Sequence, residues 1–187
     1  MRKLIGSAVL AAVLLTTPAL AAAQRRRAAA PAGGPAHEMG VDLTAYYLKP
    51  SGSSGGIQIG LPVDVRVGFL TRSQLMWEPR VSFTLNSIGT TTYVLAPGLN
   101  VLYQLKRGSG TRGLLRAPYV TGGAQLTLFD FGATSGSQLS LGGGVGTRAP
   151  FQSAAFRYEG FFAYTLKGGG LPSSFAIGTR IGLSFWH

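Results

Sequence analysis

LPVDVRVGFL, residues 61–70, alternates in character. Leu61, Val63, Val65, Val67 and Phe69 are apolar, and Pro62, Asp64, Arg66 and Gly68 fall between them. A period of two puts these sets on opposite faces of a β-strand. One face meets an apolar environment. The destination of the other, bulk water or a closed interior, decides the fold.

The same alternation recurs from His37 almost to the end of the 187-residue chain. It predicts eight strands, at 38–48, 57–71, 74–86, 91–105, 118–129, 137–148, 154–166 and 174–186. Between them stand KPSGSSGG, TRS, NSIGT, KRGSGTRGLLRA, DFGATSG, APFQS and KGGGLPSS, which carry turn chemistry and join neighbours into an antiparallel meander. The loops 49–56, 87–90, 129–136 and 167–173 fall at one end, and the long connection 106–117 at the other. Pro62, Pro79 and Pro97 lie inside these runs and donate no ladder hydrogen bond, so bulges or breaks are expected there.

Sorting each strand by parity separates the charges cleanly. One face carries Val41, Leu43, Tyr47, Leu75, Trp77, Val81, Phe83, Phe156, Tyr158, Phe162, Ile177, Ile181, Leu183 and Phe185, and no charged residue. The other carries Asp42, Asp64, Arg66, Glu78, Arg80, Arg157, Glu159 and Arg180, four acids against four bases, among Gly, Ser, Thr, Asn and Gln. No lysine falls within these predicted strands. A polar face open to water would accept Lys and Glu freely. Balanced, pairable charges among small residues suit a narrow lumen, with the apolar face turned to lipid. Closure into a barrel also satisfies every strand edge, as lipid requires. Asp64 and Arg66 are therefore expected to point into a closed interior as part of a structural salt-bridge network.

Aromatics sharpen this expectation. Tyr47, Tyr93, Tyr164 and Phe175 fall near one rim of an up-and-down barrel, and Phe69, Trp77, Tyr103, Phe156 and Phe185 near the other. All lie on the apolar face, as membrane-interface belts do. If Arg72 forms the tip of a tight TRS hairpin, residues whose numbers sum to 144 face each other, pairing Arg66 with Glu78 and Asp64 with Arg80.

The N-terminal segment reads differently. Arg2 and Lys3 precede an apolar run from Leu4 to Leu15, followed by small-residue cleavage signals, with cleavage favoured after Ala23. Residues 1–23 read as a secretory signal peptide of bacterial type, too short in its apolar run to span a bilayer comfortably. Residues 24–37 read as a flexible periplasmic linker, and 38–187 as the barrel domain. The signal and linker carry five of the basic residues and no acidic one, which removes much of the formal net charge of +11 and leaves the barrel domain mildly basic, so nucleic-acid binding gets little support.

The phrases MWEPRVSFTL (76–85), APYVTGGAQLTLFDF (117–131), LSLGGGVGTR (139–148) and the ending GTRIGLSFWH (178–187) resemble the strand phrases of the small, eight-stranded bacterial outer-membrane β-barrel protein family. The resemblance covers residues 38–186. It implies an all-β, eight-stranded antiparallel up-and-down transmembrane barrel in the bacterial outer membrane. It also implies that the last strand, with Ile181, Leu183 and Phe185 alternating, is similar to the signal read by the barrel-assembly machinery. In this sequence Trp186 and His187 follow the aromatic that usually ends that signal.

Chemistry finds little purchase. Gly52-Ser53-Ser54-Gly55-Gly56 matches G-x-S-x-G by letters but lies in a Ser/Gly loop without an elbow. Absence of cysteine removes disulfides, thiolate metal sites and thiol nucleophiles. His37 and His187 fall at the same rim and are expected to be solvated rather than metal ligands. Gly142-Gly143-Gly144-Val145-Gly146 lacks dinucleotide spacing and is expected to let bulky neighbours cross the lumen. The expectation is a non-enzymatic integral outer-membrane protein with a side-chain-filled lumen and no cofactor or metal. It would contribute to envelope structure or surface contacts. The alternative is a porin-like channel for small solutes. Outer-membrane lipids and lipopolysaccharide, the latter through Lys49 and Lys167, are the expected partners.

Overall fold

Period-two runs become strand segments throughout the computed structural model, which describes residues 37–59, 63–71, 74–87, 91–105, 113, 116–151 and 154–186. The segments are β1 (His37–Pro50), β2 (Gly56–Ile59), β3 (Val63–Leu70), β4 (Leu75–Asn86), β5 (Thr92–Gln104), β6 (Tyr119–Asp130), β7 (Ser135–Phe151), β8 (Ala154–Thr165) and β9 (Ser174–Trp186). Both β2 and β3 pair with β1, so they are two halves of one stave. From β3 to β9 each strand pairs antiparallel with the next. The last strand then returns to the first, from Glu38↔Trp186 to Pro50↔Ser174. The result is a closed antiparallel barrel of eight staves.

Closure turns the usual distribution of residues inside out. Leu43 is 53% exposed, whereas Asp42 beside it is 0% exposed. Val41, Trp77, Leu85, Leu99, Phe162, Ile177 and Ile181 are likewise exposed on the outer wall. The interior is lined by buried Glu38, Asp42, Asp64, Arg66, Glu78, Arg80, Arg148, Arg157 and Glu159.

Three details bear on the sequence expectation, and the first is a break of the kind expected in the second strand. The second stave is interrupted. Between the pairs Asp42↔Asp64 and Ala45↔Ile59, β1 supplies Leu43 and Thr44, while the opposing chain supplies residues 60–63, two more. An even surplus keeps parity, so Ile57, Ile59 and Val65 all stay exposed. Pro62 lies in this insertion, outside the described residues.

Pro79 and Pro97 produce no bulge. The β3–β4 ladder skips Val67 and Gly68 opposite Pro79 and Glu78, and the β5–β6 ladder skips Ala96 and Pro97. The register on either side of each gap is the same. A missing N–H removes a bond without forcing an extra residue into the strand.

The β3–β4 hairpin is wider than a tight turn. Its pairs sum to 146, as in Phe69↔Trp77 and Arg66↔Arg80. The Thr71 N–H donates to Leu75 O at 2.8 Å, and Gln74 takes a left-handed φ of 63°. This shifts the expected register by two, and parity is again preserved. Arg66 thus faces Arg80, and Asp64 faces Ser82.

Candidate functional site in the barrel interior

The lumen fills from the end where β1 begins and β9 finishes. Leu70, Met76, Leu102 and Tyr119 form a small buried cluster there. Above it lies a connected network of charge. Arg66 reaches Glu38 at 2.6 Å, Asp42 at 2.9 Å and Glu78 at 3.4 Å. Arg148 holds Glu38 at 2.9 Å. Arg157 bonds Glu78 and lies 2.6 Å from Glu159. Toward the loop end, Arg80 pairs with Asp64, and Arg180 with Glu159.

Neutral groups knit these pairs together. The Ser184 hydroxyl donates to Glu38 and accepts from Arg66 Nη2, both at 2.6 Å. Tyr119 accepts from Arg157 Nε at 2.6 Å and donates to Glu159 at 2.9 Å. The guanidinium carbons of Arg148 and Arg157 lie 4.6 Å and 5.1 Å from the centre of the Tyr119 ring. Asn100 Nδ2 donates to Glu78 Oε1 at 3.5 Å. Removing so many charges from water is costly, and only such mutual pairing offsets it.

Two glycines make room for these side chains. A Cβ at Gly40 would collide with the Arg66 guanidinium, and one at Gly146 with the Tyr119 phenol. Each glycine is therefore the seat on which a large polar group lies. By contrast, Gly142 and Gly144 abut the backbone of β8 rather than a crossing side chain.

All eight charged residues singled out in the sequence are brought into this interior, but not by the directly opposed pairing expected. Glu38 and Arg148 belong to the same network and were missed. Both share the polar parity of their strands but stand at strand ends, where periodicity alone gives least support. With them, five of the chain's six acidic residues lie inside, against five arginines.

The nine aromatics expected at the rims, Tyr47, Phe69, Trp77, Tyr93, Tyr103, Phe156, Tyr164, Phe175 and Phe185, are all exposed on the outer wall. Tyr164 directly faces Phe175, and Phe69 faces Trp77. His37 packs edge-on against Phe69 with ring centres 5.3 Å apart, while His187 lies outside the described residues. Gly52–Gly56 occupies the loop between β1 and β2 and the first residue of β2, with no helix following. No group of three or more metal-ligating side chains occurs among the described residues.

A closed eight-stranded antiparallel barrel with an apolar outer wall and a charged interior is thus the class of fold. The chain is similar in structure to Neisserial surface protein A, with a TM-score of 0.52 at 16% identity, covering 80% of this chain and 97% of that one. Weaker likenesses are to a major outer membrane protein of Thermus thermophilus (TM-score 0.49, 13% identity, 82% and 100% covered) and to Ail, the attachment invasion locus protein of Yersinia pestis (TM-score 0.46, 9% identity, 82% and 99% covered). No family model matches the sequence, and no curated protein matches it.

Proposed function

We propose that this chain is an integral protein of the bacterial outer membrane. In this reading it is exported by its N-terminal signal, and its lumen is plugged by the salt-bridge network. Its role is non-enzymatic, in envelope structure or in contacts made at its loops. The observation that carries the reading is the inversion of polarity: apolar side chains cover the outside, and ion pairs fill the inside. In water that arrangement would expose a continuous apolar surface far beyond what soluble monomers show.

The aromatic spacing supports it. Tyr93 and Tyr103 are ten residues apart on β5, and Phe175 and Phe185 ten apart on β9. At about 3.3 Å per residue and a strand tilt of roughly 40°, that spacing spans about 25 Å along the barrel axis. This matches the height of the apolar band of outer-membrane barrels. Lys49 and Lys167 are both exposed at the loop end, which supports contact with lipopolysaccharide phosphates in this reading. The plugged interior favours a structural or surface role over conduction. The five interior carboxylates are each engaged by arginine, which argues against a general base in the lumen.

The test is fractionation of expressing cells with and without boiling of the samples before electrophoresis. Recovery in the outer-membrane fraction, with faster migration of the unboiled form, is the expected result. Recovery as a soluble periplasmic protein overturns the reading.

A further inference from the structure

The five acids are shared unequally among the five arginines. Arg66 takes three carboxylates and Arg157 two, but Arg80 has only Asp64 and Arg180 only Glu159. Each of these contacts uses a single terminal nitrogen. Arg80 Nε and Nη1 and Arg180 Nε are buried without a hydrogen-bond partner. Arg80 is 6% exposed.

Arg80 and Arg180 both line one small cavity of about 40 Å³. Thr121, Asn100, Gln125 and Ser140 contribute the polar remainder of its wall, and no carboxylate lines it. The Thr121 hydroxyl is a further buried group without a partner. Asp64 Oδ1 is also unpartnered, but Asp64 is not part of this wall. The cavity therefore borders two cations, each with a single carboxylate partner and unpartnered N–H groups.

We infer that this cavity is a binding site for a small monovalent anion of the halide class. Size admits the class. A volume of 40 Å³ exceeds the roughly 10–15 Å³ that one water requires, so a monatomic anion has room there. Charge selects the sign. An anion between two guanidinium groups relieves their mutual repulsion and accepts N–H groups that otherwise have no acceptor, in a medium where such contacts are strong. Entry is from the loop end, where the inward positions Thr84, Thr127, Gln138 and Thr165 are half-buried and uncharged. The inference rests on the barrel interior alone and stands whether or not the membrane assignment holds.

The experiment is anomalous diffraction from crystals of the full-length barrel grown in sodium bromide, for the wild type and for Arg180→Met and Thr121→Val. The expected result is one bromide peak within hydrogen-bond distance of Arg80 and Arg180. That peak should be lost in Arg180→Met and weakened in Thr121→Val, which keeps every charge and so guards against misfolding of the arginine variant. Ordered water without anomalous signal in the wild-type cavity overturns the site, as does bromide found only at the loop surface. A parallel solution measurement compares thermal midpoints in chloride and methanesulfonate at equal ionic strength. Chloride should raise the midpoint of the wild type more than that of either variant, and equal midpoints in the two salts count against the site.

Discussion

Arg66 and Arg80 stand directly opposite each other across β3 and β4, both buried. Like charges in that position repel. The conflict is resolved along the diagonals, because Arg66 reaches Glu78 and Arg80 reaches Asp64. Asp42 facing Asp64 and Arg148 facing Arg157 repeat the arrangement. The network is therefore held by contacts across the lumen and between register steps, and two kinds of pair within it should respond differently to mutation.

Arg80 and Asp64 are each other's only ion-pair partners in the described interior. Asp64→Ala should cost about 3–5 kcal/mol by leaving a buried guanidinium uncompensated. Arg80→Ala together with Asp64→Ala should recover a substantial part of that loss. Arg66→Ala with Glu78→Ala should show no such recovery, since Asp42 loses its only ion-pair partner and Arg157 loses one of its two carboxylates. Urea unfolding in lipid vesicles, read as a double-mutant cycle, distinguishes the two patterns. Recovery in both cycles, or in neither, contradicts the connectivity.

Glycines on the two sides of the wall should differ in their tolerance of a methyl group. Gly146→Ala places a methyl group against the Tyr119 ring, whose hydroxyl bonds Arg157 and Glu159. Overpacking of this kind costs about 1–3 kcal/mol. Gly160 faces outward with open space around its missing Cβ. Gly160→Ala should change stability by less than about 0.5 kcal/mol. Equal effects measured by chemical unfolding would show that Tyr119 does not lie on its glycine seat.

Conductance tests the plug. Arg66, Arg157, Glu38 and Glu78 are all 0% exposed in their side chains, which is the basis of the proposed plug. Planar-bilayer recording of the wild type should show little or no steady current. Glu38→Ala combined with Arg148→Ala removes two large side chains from the closed end, and brief openings should become more frequent. Large, stable wild-type channels would instead favour the porin-like reading.

Assembly should depend on Phe185 more than on the residues after it. Phe185 is exposed on the outer wall and pairs with Met39 on one side and Ala154 on the other. Trp186 forms the last pair of the β1–β9 ladder, with Glu38. Deleting Trp186 and His187 should leave membrane assembly largely intact, whereas Phe185→Ala should lower the folded, heat-modifiable fraction severalfold. The reverse order of effects on gels of membrane fractions counts against an assembly signal centred on Phe185.

Alternation alone determined strand identity, the face to which each side chain belongs, and the inverted barrel. A period of two is a local property of the backbone, and the even shifts in register seen at residues 60–63 and at the β3–β4 turn do not disturb it. That is why Asp64, Arg66 and Glu78 could be placed inside from sequence. Tertiary structure decided the rest. Register depended on the turn at Gln74, whose left-handed backbone no pattern of hydrophobicity encodes. Partner choice depended on closure, which brings Glu38 of the first strand to Arg148 of the seventh. These residues are 110 positions apart, and only the curvature of a narrow closed sheet sets the distance between them.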